Sequence, residues 1–217
     1  MEKTYGILAG YGAPAGLHLH EEIIAQTLHK HGFNDLAFPR FIITNLPYSV
    51  MTETGEIQDE TEFLLANQNA AEAFAPATDI LVLCNSFHRY FPLMETIHGK
   101  KLINLPQKVS EEVAASGARN PLLVSSIETI NSGLYENDNY NLLTHYDPHL
   151  IASGMKTEEP KTEFLYAIIH EAMKEHADAI IMGCTDLNKY AKKIRTMTSL
   201  PVFDSVETAA ALIVEGK

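Results

Sequence analysis

The chain has 217 residues, of which 46% are hydrophobic and 20% are charged. That length and composition exclude a disordered tail, because the chain can bury a core of ordinary size. Sixteen Lys and Arg against 28 Asp and Glu give a formal net charge of −12 at pH 7. A charge of this sign repels phosphate backbones and anionic lipid headgroups, so we expect no nucleic-acid partner and no membrane partner.

Three further features indicate the cellular compartment. The first residues carry one lysine and a short apolar stretch broken by glycines, followed by Glu21 and Glu22, which is not a secretory signal pattern. Unbroken apolar stretches are much shorter than the ~20 residues that a membrane span needs. Two cysteines cannot form a disulfide scaffold, so we expect a reducing, cytoplasmic location.

Short apolar runs alternate along the chain with longer amphipathic stretches, and seven of these runs are predicted as strands. In chain order the strands cover residues 5–9, 41–44, 80–83, 101–105, 122–125, 179–182 and 202–203. Several are apolar at consecutive positions, which is typical of a parallel sheet covered on both faces.

Helices are predicted between the strands, because apolar residues recur there with helical spacing. Three apolar faces are expected to be buried: Leu17, Ile24 and Leu28; Phe63, Ala66, Ala70 and Phe74; Phe164, Leu165, Ile168, Ile169, Ala172 and Met173. The last helix is expected to begin at a cap formed by Asp204, ahead of Glu207. Strand and helix alternate throughout, which predicts an α/β fold built from βαβ units.

The chain contains a faint internal repeat that includes both of its cysteines. Residues 78–86 (Thr-Asp-Ile-Leu-Val-Leu-Cys-Asn-Ser) resemble residues 177–186 (Ala-Asp-Ala-Ile-Ile-Met-Gly-Cys-Thr-Asp). In each, an Asp opens a buried strand and a cysteine with small polar neighbours ends it. A single cysteine at a strand end is usually a small buried hydrophobe. Two in matching contexts favour a functional role for Cys84 and Cys184.

Ligands of open α/β sheets bind outside the carboxyl ends of the strands, where both thiols are expected. We expect helices to start just after them, and the free N–H groups there lower a thiol's pKa and attract a carboxylate. A thiolate on one face of a carbon acid can remove its α-proton while a thiol on the other face returns one. This pair of groups is suited to racemisation.

Four segments resemble motifs of the aspartate/glutamate racemase superfamily. Residues 84–88 (Cys-Asn-Ser-Phe-His) are similar to its Cys-Asn-Thr-x-His signature, and residues 183–187 (Gly-Cys-Thr-Asp-Leu) to Gly-Cys-Thr-Glu-Leu/Ile. Residues 126–135 resemble the Thr-x-Gly-Thr-Ile-x-Ser-Gly-Leu-Tyr segment of the aspartate racemase branch. Residues 9–15 resemble its opening Gly-Gly-Met-Gly-Pro-x-Ala. The four segments stand in the family's order and span nearly the whole chain.

This resemblance implies a cofactor-independent amino-acid racemase with two similar parallel-sheet α/β lobes and its active site in the cleft between them. By analogy the lobes comprise residues 1–106 with 198–217, and residues 107–197, because such chains return their C-terminus to the first lobe. The resemblance assigns the two bases to Cys84 and Cys184. It assigns the α-carboxylate to five residues that supply amide, hydroxyl or backbone donors: Asn85, Ser86, Ser126, Thr129 and Thr185.

One departure from the family pattern affects the choice of substrate. The aspartate branch carries an arginine that meets the substrate's side-chain carboxylate, and Met51 stands at that place here. A buried second carboxylate would lack its bidentate cation, so we expect Met51 to line a pocket for an uncharged side chain. Arg40, Arg89 or Lys161 are the alternatives that would restore the charge. Glu128 near the site either repels acidic substrates or is a solvated loop acid.

Two other motifs are set aside, and one histidine remains open. The glycine pattern of residues 10–16 is one residue too long for a dinucleotide fingerprint, so we expect no nucleotide cofactor. The histidine pairs His18/His20 and His29/His31 diverge on a helix, so we expect no metal. His88 lies four residues after Cys84 and either tunes that thiol or makes a structural hydrogen bond.

Three functions remain open at this point. The first is a racemase or epimerase acting on an amino acid. The second is a related isomerase or decarboxylase of a small dicarboxylate that uses one sulfur. The third is a non-catalytic protein that binds small carboxylates, for which neither thiol has to ionise. The sequence leaves open the identity of the amino acid, which cysteine acts on which enantiomer, and whether the chain forms a homodimer.

Overall fold

A computed structural model of the chain describes residues 3–10, 14–45, 59–154, 156 and 159–216. Within them eight strands form two four-stranded sheets in which every pairing is parallel. The strands are β1 (Thr4–Ala9), β2 (Arg40–Asn45), β3 (Asp79–Val82), β4 (Lys101–Ile103), β5 (Pro121–Val124), β6 (Leu143–His145), β7 (Ala179–Met182) and β8 (Val202–Asp204).

Nine α-helices connect or flank these strands in the described ranges. They are α1 (Ala15–His31), α2 (Glu60–Ala71), α3 (Phe91–His98), α4 (Leu105–Ser116), α5 (Ile127–Asn131), α6 (Pro148–Gly154), α7 (Thr162–Lys174), α8 (Asn188–Ile194) and α9 (Ser205–Glu215). Both faces of each sheet are covered by apolar side chains, as the consecutive apolar residues of the strands predict. The α/β class and the two parallel sheets are confirmed.

The two sheets have the same topology. The first has the strand order β2-β1-β3-β4 and the second β6-β5-β7-β8. In each sheet the second strand of the chain lies on one side of the first strand, and the third strand lies on the other side. Open α/β sheets bind their ligands at such a change in strand order. Strands β3 and β7 are therefore equivalent, and the internal repeat seen in the sequence corresponds to this equivalence.

The C-terminal segment belongs to both halves of the molecule. Strand β8 pairs with β7 in the second sheet. Helix α9 packs against the first sheet, with Val206, Ala209 and Ile213 in the same buried cluster as Ile7 of β1. Asp204 caps α9 as predicted, because its Oδ1 accepts hydrogen bonds from the Val206 and Glu207 amides at 2.9 and 3.0 Å. We propose that the second lobe runs to the end of β8, rather than to residue 197, and that only α9 returns.

The predicted buried face of α1 was wrong. Leu17 is 58% exposed and Ile24 38% exposed, whereas Leu19 and Ile23 are fully buried. The buried stripe also contains Ala15 and Thr27, which a count of large apolar residues passes over. Ala15, Leu19 and Ile23 share one buried cluster with Val206, Ala209, Ala210 and Ile213 of α9, so this stripe is the face that packs inward.

The other two predicted faces are partly confirmed. Ala70 is buried within α2, and Phe74 is buried just beyond its end, whereas the side chains of Phe63 and Ala66 lie outside the described set. In α7 the buried positions are Leu165, Ile168 and Ala172, with Phe164 and Ile169 packed against them. Met173 is 69% exposed, because it lies at the end of the helix, past the sheet that the other residues cover.

Two strand predictions need correction. Strand β6 was missed, since this edge strand is only partly buried and its Thr144 and His145 break any apolar run. Strand β4 ends at Ile103 rather than 105, because the Asn104 side chain accepts the Gln107 amide at 3.2 Å and starts α4. In the described part of the chain no helix has the length and apolar character needed to cross a bilayer.

Candidate active site

Both cysteines follow equivalent strands and occupy equivalent local structures. Cys84 comes two residues after β3 and precedes the 3-10 turn Asn85–Tyr90, and Cys184 comes two residues after β7 and precedes the turn Thr185–Leu187. Each cysteine has extended backbone angles and sits at the cap position of its turn. The expected helix starts are therefore short 3-10 turns. Their backbone N–H groups hydrogen-bond the thiols, those of Ser86 and Phe87 to Cys84 and that of Asp186 to Cys184.

The two thiols line one small cavity together with residues from both halves of the fold. Its ten described lining residues are Cys84, Asn85, Ser86, Ser126, Thr129, Ile151, Gly183, Cys184, Thr185 and Asp186. Every residue that the resemblance assigned to catalysis or to the α-carboxylate is among them, and Met51 lies outside the described residues. The cavity volume is about 10 Å³, which is the space of about one water molecule.

Reciprocal hydrogen bonds join the two cysteine loops. The amide nitrogen of Asn85, the residue after Cys84, donates to the carbonyl of Gly183 at 2.6 Å. The hydroxyl of Thr185, the residue after Cys184, donates to the carbonyl of Leu83 at 3.2 Å. In each case the residue after one cysteine binds the residue before the other. This arrangement fixes the two thiol-bearing backbones against each other.

Asn85 is almost completely buried, and its amide nitrogen contacts protein acceptors. Besides Gly183, this nitrogen lies 3.0 Å from the Tyr135 hydroxyl and 3.0 Å from the Ser205 hydroxyl. The side-chain oxygen of Asn85 has no hydrogen-bond partner. Asn85 was expected to offer amide donors to a carboxylate, whereas the structure directs those donors into the protein.

Ser126 and Thr129 form a second polar wall of the cavity. Ser126 caps the short helix α5, where its Oγ accepts the Thr129 amide at 3.3 Å and lies 3.1 Å from Thr129 Oγ1. Both residues are buried. Helix α5 directly follows β5, so this wall also lies at the carboxyl end of a strand.

Burial raises the pKa of both thiols. The pKa of Cys84 is raised to about 12, mainly by desolvation, although the Ser86 hydroxyl 3.5 Å from its sulfur acts in the opposite direction. The pKa of Cys184 is raised well above its usual value, again mainly by desolvation, and Asp186 and Cys84 add to the increase. The sequence-based expectation of lowered thiol pKa values was therefore wrong, because desolvation outweighs the backbone donors.

His88 is a structural residue of the Cys84 loop. The backbone amide of Leu105 donates to its Nε2 at 3.3 Å, so Nδ1 carries the proton and donates to the carbonyl of Cys84 at 3.0 Å. Burial lowers the pKa of His88 to about 4, which keeps the ring neutral. Of the two alternatives for His88, these contacts favour the structural hydrogen bond.

Asp186 is a residue of the site for which the sequence had suggested no role, although it lies in the motif around Cys184. It is 3% exposed and lines the cavity, and its Oδ1 has no hydrogen-bond partner. Burial raises its pKa to about 6, against the opposing influence of Lys189. Its position two residues after Cys184, where the family signature has Glu, was the available signal.

The charged residues considered for the side-chain pocket lie elsewhere. Glu128 pairs with Arg89 at 2.8 Å, and neither is among the cavity-lining residues. The Lys161 ammonium lies 5.9 Å from the centre of the Phe164 ring, and Arg40 is exposed. No basic side chain lines the described part of the cavity. Among the described residues there is also no group of three or more His, Cys, Asp or Glu side chains that could hold a metal ion.

Asp186 generates a prediction about stability and pH. Between about pH 4 and 6 the unfolded chain has this carboxyl ionised while the folded chain keeps it protonated, so its burial costs stability as the pH rises. Relative to wild type, Asp186→Asn should gain stability from pH 4 to 7 by up to about 3 kcal/mol, at ~1.4 kcal/mol per pKa unit. Urea unfolding across this range measures the gain. Asp138→Asn removes the same charge from an exposed side chain and is the matched control. A difference from wild type that is independent of pH would contradict the prediction.

Comparison with known proteins agrees with this architecture. The family model "Asp/Glu/Hydantoin racemase" matches residues 9–213. The Bacillus subtilis (strain 168) protein named broad specificity amino-acid racemase RacX is 24% identical over 212 residues, which are 92% of each chain.

Two solved structures share the fold. The aspartate racemase of Picrophilus torridus superposes with a TM-score of 0.79 at 22% identity, over 99% of this chain and 94% of the other. An aspartate racemase homologue from Pyrococcus horikoshii OT3 has a TM-score of 0.76 at 22% identity, over 99% and 98%. The family model spans both cysteines and every described residue of the cavity wall. The chain therefore belongs to the Asp/Glu/hydantoin racemase family.

Proposed function

We propose that this protein is an amino-acid racemase or epimerase that inverts the α-carbon with two thiols and without a cofactor. The observation that carries the proposal is the placement of Cys84 and Cys184 on one cavity, held by reciprocal hydrogen bonds between their loops. Membership of the racemase family and the likeness to a broad specificity amino-acid racemase support it. The substrate is a small amino acid, and we place the reaction in the cytoplasm.

The proton transfers balance within the two thiols. The thiolate of one cysteine takes the α-proton and becomes a thiol, and the electron pair left on the α-carbon delocalises into the carboxylate. The thiol of the other cysteine then donates its proton to the opposite face and becomes the thiolate. The two groups thus hold opposite protonation states at each moment, and the reverse reaction exchanges their roles.

The raised thiol pKa values are compatible with this cycle when an amino acid occupies the cavity. An ammonium group close to a thiol favours its charged form, so the substrate itself helps to create the thiolate. A thiol with a raised pKa is also a strong base once ionised. A strong base suits the removal of the α-proton, because the α C–H group of an amino acid is a weak acid.

The substrate's α-carboxylate is assigned to the hydroxyl-rich walls of the cavity. Ser86, Ser126 and Thr129 contribute hydroxyl groups, and the two 3-10 turns contribute backbone N–H groups. The Thr185 hydroxyl donates its one proton to the Leu83 carbonyl, so its side chain serves the contact between the loops. Fixed donors at this position stabilise the negative charge that grows on the carboxylate as the α-proton leaves. They need no metal and no pyridoxal group for that purpose.

The alternatives use less of the site. A decarboxylase or isomerase that works through one sulfur leaves the second cysteine without a role, and a binding protein leaves both without one. The duplicated loops and the shared cavity favour a reaction in which both sulfurs act.

Substitution of either cysteine tests the two-thiol mechanism. Cys84→Ala and Cys184→Ala should each abolish racemisation, because inversion needs a base on one face and an acid on the other. Each variant should still exchange the α-proton of one enantiomer in deuterated water, and the two variants should act on opposite enantiomers. Chiral chromatography with mass spectrometry measures both quantities. Full turnover by either variant, with an unchanged melting temperature, would exclude the mechanism.

Cofactor independence predicts that activity survives exhaustive chelation and that the purified protein shows no pyridoxal absorbance. Iodoacetamide should inactivate the enzyme, and bound substrate should protect it. The measurements are racemisation after dialysis, an absorbance spectrum and a time course of alkylation. Activity lost to a chelator and restored by one metal ion would refute this prediction.

A methionine at position 51, where the aspartate branch has an arginine, leads to a prediction about which amino acids are good substrates. A thioether offers no donors to a second carboxylate, whereas an arginine would supply a planar fork. Acidic amino acids should therefore be poor substrates, and Met51→Arg should raise kcat/KM for aspartate at the expense of the native substrate. Loss of such a charge-assisted pair costs several kcal/mol, which is about a hundredfold or more in kcat/KM. Met173→Arg, at an exposed position, is the matched control. A wild-type enzyme that racemises aspartate or glutamate best would show the inference to be wrong.

A further inference from the structure

We propose that Asp186 and Asn85 together form the subsite that binds the α-ammonium group of the substrate. This inference rests on the proposed racemase function, and it adds a specificity-determining residue, Asp186, to that site. In this arrangement the α-carboxylate binds the hydroxyl donors on one wall of the cavity. The α-ammonium group binds the oxygen acceptors on another wall.

The first observation is a pair of buried acceptors without partners. Asn85 is 2% exposed and Asp186 is 3% exposed, and both line the cavity. The Oδ1 atoms of both side chains lack a hydrogen-bond partner. Buried polar atoms are almost always hydrogen-bonded, because an unpaired acceptor keeps its full desolvation cost. Two such oxygens in one small cavity point to a ligand that donates hydrogen bonds.

The orientation of the Asn85 amide is fixed by its neighbours. A carbonyl can only accept, so the atom 2.6 Å from the Gly183 carbonyl must be the amide nitrogen. The remaining atom is then the oxygen, which faces no protein donor. Asn85 therefore offers an acceptor to a ligand, and an acceptor suits an ammonium group rather than a carboxylate.

Charge completes the argument. Apart from the two thiols, Asp186 is the only ionisable side chain among the described lining residues. An ammonium group carries three donors and no acceptor. It can bind a carboxylate and an amide oxygen at once while it neutralises the carboxylate's charge. A charge-assisted hydrogen bond in a desolvated cavity is stronger than a neutral one.

The subsite predicts a measurable preference. An α-hydroxy acid keeps the carboxylate and the side chain of an amino acid but replaces the ammonium with a neutral hydroxyl. Wild-type protein should bind the amino acid about tenfold or more tightly than its hydroxy analogue, the size expected when a charge-assisted hydrogen bond is lost. Asp186→Asn has the same shape without the charge, and it should reduce this preference to near unity.

The experiment measures protection of the two cysteines from iodoacetamide by matched pairs of probes. The pairs are alanine and lactate, leucine and 2-hydroxy-4-methylpentanoate, and phenylalanine and phenyllactate, each as both enantiomers. The concentration that halves alkylation is determined for wild type and for Asp186→Asn by mass spectrometry. Asp186→Glu retains the charge and should retain the amino preference.

Asp204→Asn is the matched control. Asp204 is also a buried carboxyl with a partnerless oxygen and a pKa raised by burial, to about 7, and it also raises the pKa of Cys184. It does not line the cavity. Asp204→Asn should therefore keep the amino preference, whereas a general effect of carboxyl removal on the thiols would appear in both variants.

Two outcomes overturn the proposal. One is equal protection by the two members of every pair in wild type, including no protection by either. The other is an amino preference that survives Asp186→Asn in protein with a wild-type circular dichroism spectrum. These results are distinct from failure of the proposed function, because thiol protection needs no turnover. A protein that protects its thiols selectively with amino acids but never racemises them would retain the subsite and lose the racemase assignment.

Discussion

The structure depends on one repeated contact, the hydrogen bond from the residue after each cysteine to the carbonyl before the other. Asn85 reaches Gly183, and Thr185 reaches Leu83. These two bonds bring together cysteine loops 100 residues apart in the chain. They also span the two sheets, because each loop extends from the carboxyl end of a central strand. Everything proposed about the chemistry requires that the thiols share a cavity, and these bonds make them do so.

The packing of the Cys184 loop against the end of β5 requires a glycine at position 183. A Cβ at this position would collide with the end of the Leu123 side chain and lie 3.2 Å from Ser125 Cβ. The Gly183 carbonyl also accepts the Ser125 hydroxyl at 2.6 Å, so one carbonyl serves two donors. A glycine before Cys184 thus lets the Cys184 loop pack closely against Leu123 and Ser125.

The site carries groups whose burial costs free energy. Both thiols and the carboxyl of Asp186 have pKa values raised by desolvation, so their charged forms are disfavoured. Such groups reduce stability unless a partner compensates them. Their concentration around one cavity is the pattern expected of a functional site, where a ligand supplies the missing partner.

Much of this arrangement was predictable from the sequence, and the failures have physical causes. The apolar runs predicted the parallel strands, and the repeated strand-Cys pattern predicted equivalent positions for Cys84 and Cys184. The buried face of α1 was not predictable from its large apolar residues, because that face also contains Ala15, Glu22 and Thr27 while Leu17 and Ile24 are exposed. The direction of the thiol pKa shifts depends on desolvation, which no residue pattern records. The role of the Asn85 amide depends on which acceptors the other half of the chain presents, and only the folded structure shows them.

The central claim is that two different groups exchange protons with the two faces of the α-carbon. Its most direct test is the isotope content of both enantiomers early in the reaction, with one unlabelled enantiomer as starting material in deuterated water. Two thiols predict that the newly formed enantiomer carries deuterium at the α-carbon, while the remaining starting enantiomer keeps its hydrogen. Product that retains the original hydrogen would show that a single base removes and returns the same proton, and would contradict the account.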